Sequence, residues 1–310
     1  SGMNWPHRLF TGEIGDAEIK LLRIFRTVVD CGGFSAAEVE LGASKSAISK
    51  QMNDLEIRLG MRLCNRGRSG FSLTPEGERA YAATNQLLAS LEIFRSQIND
   101  TMAGLTGTLY IGLVDTIVTQ SGSALHRAIS AYCGKHKDVG LRVISGSSAE
   151  ITRAVQEMRI HVGVTVLESE HPDISALTLF EEVSHLYCGA GHALWPIADS
   201  GIEIADLSGR AFVQHGYSEA ERSYVDRMNM SLKAISHVTE GVLFLILSGS
   251  YLGFLPTHFA QIWEERGEIR PILAGDVVKK TKLSAIANRR IVKNALIGSF
   301  LGEIARQQQG

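Results

Sequence analysis

Residues 33–60 read GFSAAEVELGASKSAISKQMNDLEIRLG, and this stretch predicts two helices joined by a tight turn. Ser35 followed by Glu38 has the spacing of a capping box, which predicts a first helix over about residues 36–41. Ser44 can cap a second helix that runs to the end of the stretch. A glycine follows each helix and can adopt the left-handed conformation that ends it. Two helices with this connection are typical of a helix-turn-helix.

The second helix is predicted to separate apolar and polar residues onto two faces. Its buried stripe is expected to consist of Ala47, Ile48, Met52, Leu55 and Leu59. Its outer face is expected to carry Lys45, Ser46, Ser49, Lys50 and Asn53. Short hydroxyls and lysines at a helix N-terminus suit the major groove, because they reach base edges and phosphates and the helix dipole favours anions. A solvated polar face is the alternative interpretation.

The flanking segments complete a small fold. Asp16 can cap an upstream helix whose apolar stripe is formed by Leu21, Leu22, Phe25, Val28 and Val29. Downstream, residues 61–73 form short strand-like pieces around a basic, glycine-containing tip, which predicts a β-hairpin wing. Residues 41–72 contain two acidic residues and six basic ones, a surplus that suits a phosphate backbone. The basic residues are Lys45, Lys50, Arg58, Arg62, Arg66 and Arg68.

These patterns define a set of candidate DNA contacts on the second helix, its cap and the wing. The candidates are Ser35, Ser44, Lys45, Ser46, Ser49, Lys50, Asn53, Arg66 and Arg68. The two wing arginines are placed for backbone or minor-groove contact. Exposed loop arginines are also common on surfaces that bind nothing, and that alternative stays open.

A long helix is predicted after the wing. Thr74 can cap it and Pro75 suits its first position, and no glycine or proline interrupts residues 78–103. Its apolar residues recur at three- and four-residue steps and comprise Tyr81, Leu87, Leu88, Leu91, Phe94, Ile98 and Met102. At about 1.5 Å per residue the helix is roughly 40 Å long. A narrow apolar seam of this length favours a partner helix, with packing against the C-terminal part of the chain as the alternative.

Strands and helices alternate after residue 104, which predicts an α/β sheet with crossover helices. We expect strands at residues 109–114, 141–144 and 162–166, with helices at 122–135 and 149–159 between them. Ligands bind beyond the carboxyl ends of such strands. Two polar turns lie there: Asp115-Thr116 after the first strand, and Ser145-Gly146-Ser147-Ser148 after the second. The serines either contact a small polar or anionic ligand or simply cap the next helix.

Residues 16–102 resemble the DNA-binding domain of the LysR-type transcriptional regulators. The segments that carry the resemblance include residues 33–35 (GFS), 44–52 (SKSAISKQM) and 73–77 (LTPEG). The resemblance implies that the long helix pairs with its copy in another subunit, giving a dimer or tetramer that binds double-stranded promoter DNA, with RNA polymerase as a further partner. The sequence departs from the family pattern at three positions, Glu38, Lys45 and Cys64. We expect Glu38 to be tolerated through the capping box, Cys64 to be a smaller core side chain, and Lys45 to alter base preference.

The remainder resembles the effector-binding domain of the same family. The matching segments include 186–189 (LYCG), 191–194 (GHAL), 212–214 (FVQ) and 249–256 (GSYLGFLP). The resemblance implies two subdomains with a ligand cleft between them, as in periplasmic solute-binding proteins. The effector contacts that it implies are Thr116, Ser147, Ser148, Gln214 and His215. His161 is expected at the surface and His192 in a structural role.

The expected organisation is α/β overall, in three parts. Residues 1–75 form an α-rich winged helix-turn-helix and residues 76–103 a dimerisation linker helix. Residues 104–310 form the effector-binding domain. Its first subdomain comprises residues 108–166 and 281–310, and its second comprises residues 167–280, so the chain crosses near residues 167 and 280.

Composition limits the function classes. The chain of 310 residues has a net charge of −2 and four widely spaced cysteines, which we expect to be reduced thiols without a metal. Ser1-Gly2 before Met3 resembles a cleaved tag, and without a signal peptide or an apolar run long enough to span a bilayer we expect a cytoplasmic protein. No enzymatic motif or cofactor fingerprint is found. We expect a DNA-binding regulator whose only small molecule is an effector. The alternatives are an architectural DNA-binding protein, a solute-binding module or an enzyme.

Overall fold

A computed structural model describes residues 12–67, 70–100, 105–120, 124–167, 169–197, 199–216 and 218–308. The chain divides into two compact units. The first comprises Ser1–Ile98 with Glu157–Arg159, and the second comprises Asn99–Gln156 with Ile160–Gly310. In the described part of the chain, no helix combines the length and the apolar character needed to cross a membrane.

The first unit is a helix-turn-helix followed by a two-stranded wing and a long helix. Its elements are α1 (Asp16–Asp30), α2 (Phe34–Leu41), α3 (Lys45–Leu59), β1 (Cys64–Gly67), β2 (Gly70–Leu73) and α4 (Pro75–Asp100). The core lies among the first three helices and includes the fully buried side chains Phe25, Val28, Ile48, Met52, Leu55 and Cys64. The predicted winged helix-turn-helix is therefore confirmed, with Cys64 in the core.

Local capping signals set the bounds of α3. The hydroxyl of Ser44 accepts a hydrogen bond from the Ala47 N–H at 3.3 Å, as expected of an N-cap. Gly42 (φ 59°) and Gly60 (φ 67°) adopt the left-handed conformation and end α2 and α3. These parts of the prediction are confirmed because they depend on neighbouring residues alone.

The starts of α1 and α2 differ from the prediction. Gly15, not Asp16, is the N-cap of α1, and its N–H donates to the Glu18 carboxylate. The capping box expected at Ser35 is absent, because α2 already begins at Phe34 after Gly33. The Phe34 ring packs edge to face on Phe71 of the wing, which favours its inclusion in the helix.

Glu38 has a different role from the one expected. Its carboxylate accepts the N–H of Lys45 at 2.6 Å, so it satisfies a donor at the start of α3 instead of one in its own helix. The contact spans the turn between the two helices. Glu38 therefore stabilises the helix-turn-helix geometry directly.

The buried face of α3 also differs at two residues. Ala47 is exposed, whereas Glu56, which no apolar pattern could predict, is buried. The Glu56 carboxylate accepts the N–H groups of Leu63 at 2.8 Å and Cys64 at 3.2 Å. A buried carboxylate needs such donors, and here they belong to the chain entering the wing. Glu56 thus joins α3 to the wing.

A close backbone approach joins the wing to α4. The Thr74 hydroxyl accepts the Gly77 N–H at 2.9 Å and donates to the Arg62 carbonyl at 2.6 Å, which confirms Thr74 as the cap of α4. A Cβ atom at Gly77 would lie 2.0 Å from the Leu63 carbonyl oxygen. Only glycine fits this position without moving the backbone.

The second unit contains a mixed sheet with helices on its faces. Its first half comprises β3 (Gly107–Leu113), α5 (Ala124–Lys135), β4 (Val139–Ser145), α6 (Ser148–Gln156), β5 (Val162–Val166) and β6 (Ile174–Gly189). Next come β7 (Ala211–His215), α7 (Glu219–Arg227), β8 (Ser231–Ser236) and α8 (Thr239–Leu247). The last elements are β9 (Gly253–Pro256), α9 (Thr257–Glu265), β10 (Ile269–Ile272), β11 (Val278–Asn288) and α10 (Ala295–Gln308).

The two longest strands connect the whole sheet. Its strand order is β10-β6-β11-β5-β3-β4, with β9 also paired to β6. Strands β6 and β11 are antiparallel and pair along Val278–Asn288, whereas β3 is parallel to both β4 and β5. A separate parallel pair, β7-β8, lies beside β9 through a bridge between Phe212 and Leu252. This mixed α/β architecture agrees with the predicted fold class.

Two histidines singled out in the sequence have structural contacts. The Nδ1 atom of His161 accepts the Tyr110 N–H at 3.2 Å, and its ring packs edge to face on the Tyr110 ring. His161 is half-buried, and its contact with Tyr110 was not predicted from the sequence. His192 is buried and accepts the Leu194 N–H at 3.1 Å, consistent with a structural role.

We predict that Gly77→Ala destabilises the first unit by about 1–3 kcal/mol, because the new methyl group must displace the Leu63 carbonyl. Hydrogen exchange of the α3 amides measures this effect. The control is Gly134→Ala in α5, where an added Cβ meets nothing within 4 Å. Equal α3 exchange in both variants would contradict the close approach.

Candidate DNA interface and ligand cleft

The predicted DNA-contacting side chains lie together on the N-terminal half of α3. Lys45, Ser46, Lys50 and Asn53 are exposed, and Ser49 is half-buried. Exposed lysines beside the positive end of the helix dipole create an electrostatic field that suits phosphate.

Two further candidate hydroxyls precede α3 in the sequence. Ser44 and Ser35 are both exposed, and the Ser44 hydroxyl lies 3.0 Å from that of Ser46. The Ser44 hydroxyl also caps α3. A phosphate contact by this hydroxyl would therefore have to leave its hydrogen bond with the Ala47 N–H in place.

The basic residues counted in the sequence fall into three groups. Lys45 and Lys50 are exposed on α3. Arg58 forms an ion pair with Glu18, and the Arg62 Nε donates to the Cys64 carbonyl at 3.0 Å, so both support the fold. Two arginines belong to the wing. Arg66 lies in β1 opposite Phe71, whereas Arg68 falls outside the described residues.

The far end of α4 exposes part of its apolar seam. Phe94 is 63% exposed and Ile98 is 51% exposed, whereas Leu88, nearer the start of the helix, is buried. Met102, the last residue of the predicted seam, lies outside the described residues. Large apolar side chains at this spacing favour a second helix as their cover.

In the second unit, the turn after β3 contacts the helix α8. The Asp115 carboxylate accepts the Thr239 N–H at 2.5 Å. The residue that precedes α8, Val238, has no polar side chain to cap it, so the carboxylate of a distant segment satisfies this helix end. The neighbouring Thr116 has φ 67°, a strained conformation for a β-branched residue that is typical of functional turns.

In the turn after β4, Ser147 is hydrogen-bonded to Glu150 of the following helix, α6. The Ser147 hydroxyl donates to the Glu150 carboxylate at 2.7 Å, and the Ser147 N–H donates to the same oxygen at 2.8 Å. These hydrogen bonds, with smaller effects of His237 and Arg153, hold the pKa of Glu150 below its ordinary value. Ser147 thus caps α6, the alternative role noted for it.

Ser148 and Gln214, two further effector candidates, occupy different surroundings. Ser148 is the first residue of α6 and is half-buried. Gln214 is buried, and its amide donates to the Ser218 carbonyl at 3.1 Å. Ligand contact by the effector candidates remains a prediction.

His215, at the end of β7, lies beside Glu221 and Thr239. Its N–H donates to the Glu221 carboxylate at 2.8 Å, and its Nε2 lies 3.5 Å from the Thr239 hydroxyl. Burial lowers the pKa of His215 and outweighs the opposing effects of Glu221 and Asp115.

Several cleft residues were missed in the sequence. His258 of α9 lies 2.7 Å from the Thr119 hydroxyl through Nδ1 and 3.0 Å from the Glu182 carboxylate through Nε2. Lys279 of β11 forms a 2.5 Å ion pair with Glu221, whose side chain is completely buried. A charged residue within a strand was the available signal for Glu182 and Lys279.

We predict that the stability of the second unit falls as the pH drops below about 6.5, because the unfolded chain then binds a proton that the folded His215 does not. His215→Gln should reduce this slope. Urea unfolding midpoints between about pH 5 and 8 measure it. His126→Gln, which changes an exposed histidine, is the control. The same slope in both variants would argue against a buried neutral His215.

Comparisons with known proteins agree with this arrangement. The sequence model of the bacterial regulatory helix-turn-helix protein, lysR family, matches residues 19–78, and that of the LysR substrate binding domain matches residues 102–309. The chain is 39% identical to the HTH-type transcriptional activator BauR of Pseudomonas aeruginosa over 294 residues, covering 95% of this chain and 96% of that protein.

Two solved structures share the fold at low sequence identity. Full-length CbnR in complex with its target DNA has a TM-score of 0.59 and 20% identity, over 93% of this chain and 99% of that one. Full-length LysG of Corynebacterium glutamicum with bound effector Arg has a TM-score of 0.54 and 15% identity, over 94% and 98%. The two domain matches and the full-length relative together place this chain in the LysR family, as a transcriptional regulator with a helix-turn-helix head and an effector-type domain.

Proposed function

We propose that the first unit binds a promoter inverted repeat with α3 in the major groove and the wing beside it. The exposed Lys45, Ser46, Lys50 and Asn53 on one face of α3 carry this proposal. Lysines contact phosphates or guanine, and Ser46 and Asn53 approach base edges. The fold shared with CbnR, which was solved on its target DNA, supports the same docking.

Self-association through α4 would set the spacing of two such heads. The exposed Phe94 and Ile98 support a helix pair between subunits, as a dimer or as half of a tetramer. Two-fold related heads match the symmetry of an inverted repeat. We also propose that the protein acts in the cytoplasm. RNA polymerase at the promoter is a further proposed partner.

We propose that a small effector binds the cleft between the two lobes of the second unit and alters DNA binding. Support comes from the hydrogen bond that joins Asp115, in the turn after β3, to the start of α8, and from the Thr239 hydroxyl, which lies 3.5 Å from His215 Nε2. An effector that prefers one cleft geometry shifts the population of that geometry. LysG, of similar fold, was solved with an effector bound.

One observation favours a second function, DNA binding without an effector. Asp115 and Thr119 already bond to Thr239 and His258 across the cleft, so the chain's own side chains link the two lobes. A regulator held closed in this way would act as an architectural DNA-binding protein without an effector. Ligand binding by the full-length protein separates this alternative from the first.

The DNA proposal is tested on a labelled fragment from upstream of this protein's own gene, over a salt series. We predict that the wild type protects a discrete inverted repeat. Ser46→Ala/Lys50→Ala should lose the sequence preference, at about 1–3 kcal/mol per lost base contact, yet keep weak salt-sensitive binding.

The matched control removes the same groups from the second unit. Ser130→Ala/Lys137→Ala changes an exposed serine and an exposed lysine, and it should bind like the wild type. If the upstream fragment shows no preferred site, selection from genomic DNA follows. A wild-type protein that prefers no site in the genome would refute sequence-specific regulation.

A further inference from the structure

The two helix ends that a ligand anion would use in this cleft are already filled by the chain itself. Asp115 accepts the first N–H of α8, and Glu150 accepts the N–H of Ser147 at the start of α6. A helix N-terminus attracts one carboxylate strongly, but a second would be repelled by the first. A ligand carboxylate at either helix end would therefore be opposed by a carboxylate of the protein.

Lys279 and His215, the two basic groups beside Glu221, offer little attraction to an anion. Lys279 is paired with the completely buried Glu221, so its charge is balanced within the protein. His215 is held largely neutral by burial. Asp115 is bonded to the Thr239 N–H and Glu182 to the His258 ring, and no lysine or arginine among the described residues forms an ion pair with either carboxylate.

The buried hydroxyl of Ser184 lies on the same strand as Glu182. Ser184 is 1% exposed, and its hydroxyl has no hydrogen-bond partner among the described residues. It lies two residues from Glu182, on the same face of β6, and its register partner is Lys279. Native proteins rarely leave a buried polar group unsatisfied unless a ligand or water completes it.

Asp115 and Glu182 belong to one electrostatic cluster. The Glu182 carboxylate lies 3.0 Å from His258 Nε2, and His258 Nδ1 lies 2.7 Å from the hydroxyl of Thr119, which follows Asp115 in the segment after β3. Glu182 is only 12% exposed, so little water screens its charge. A small cation at this place would gain attraction from both carboxylates and a hydrogen bond to the Ser184 hydroxyl.

We propose that the cleft recognises its effector through an ammonium group held by Asp115, Glu182 and Ser184. An ammonium group has three donors, which match two carboxylates and one hydroxyl. This inference rests on the proposed effector cleft and replaces the small polar or anionic ligand that its serine turns had suggested. The ligand class is a small alkylamine or amino acid.

The test compares three probes of equal chain length: n-butylamine, 4-aminobutyrate and butyrate, each added to the full-length protein at millimolar concentration. A molecule that binds the folded state raises its unfolding temperature. We predict stabilisation by the two ammonium compounds and none by butyrate. Stabilisation by butyrate alone, or by none of the three, would overturn the proposal.

Two variants and a control locate the binding site. Asp115→Asn should weaken binding of the ammonium probes at least about tenfold, because one charge partner is lost. Ser184→Ala should weaken it by a smaller factor while leaving the fold intact, since no described residue uses that hydroxyl. Asp138→Asn removes an exposed carboxylate elsewhere in the unit and should change nothing. Wild-type binding by both Asp115→Asn and Ser184→Ala would refute the site.

This readout does not depend on DNA. Sequence-specific DNA binding without ammonium binding would overturn only the ligand class. Ammonium binding without any preferred DNA site would leave the ligand class standing and refute the proposed regulation.

Discussion

The antiparallel pairing of β6 with β11 is the constraint on which the second unit depends. These are the two longest strands of the sheet, and β5, β9 and β10 attach to them on either side. Their register fixes Ser184 opposite Lys279 and places Glu182 two residues along the same face. A shift of one residue would move both polar groups to the opposite face of the sheet. The chemistry of the cleft is thus a consequence of strand register.

The two units differ in what lies at the positive N-terminal ends of their helices. In the head, the positive end of α3 is exposed beside Lys45 and Lys50, so a phosphate supplies the missing negative charge. In the cleft, the positive ends of α6 and α8 are covered by Glu150 and Asp115. The head therefore offers a free helix end to an anion, whereas these two helix ends of the second unit are capped by the protein itself.

Local features of the head could be predicted from the sequence, and tertiary ones could not. Ser44, Gly42 and Gly60 set helix ends through contacts with near neighbours, and their roles were read correctly. Glu38 and Glu56 bond to groups seven or eight residues away, beyond a turn, so their partners appear only once the chain is folded. In the cleft, Glu182 meets His258 across 76 residues of sequence, a distance that no motif reveals.

The central claim is that an ammonium ligand in the cleft controls DNA binding by the head. Fluorescence anisotropy of a labelled DNA fragment carrying the selected site tests it, with n-butylamine or 4-aminobutyrate titrated into the protein–DNA complex. The account predicts a saturable change in DNA affinity for the wild type and a curve displaced to higher ligand concentration for Asp115→Asn. A wild-type DNA affinity unaffected by either compound, or an identical response in the variant, would contradict it.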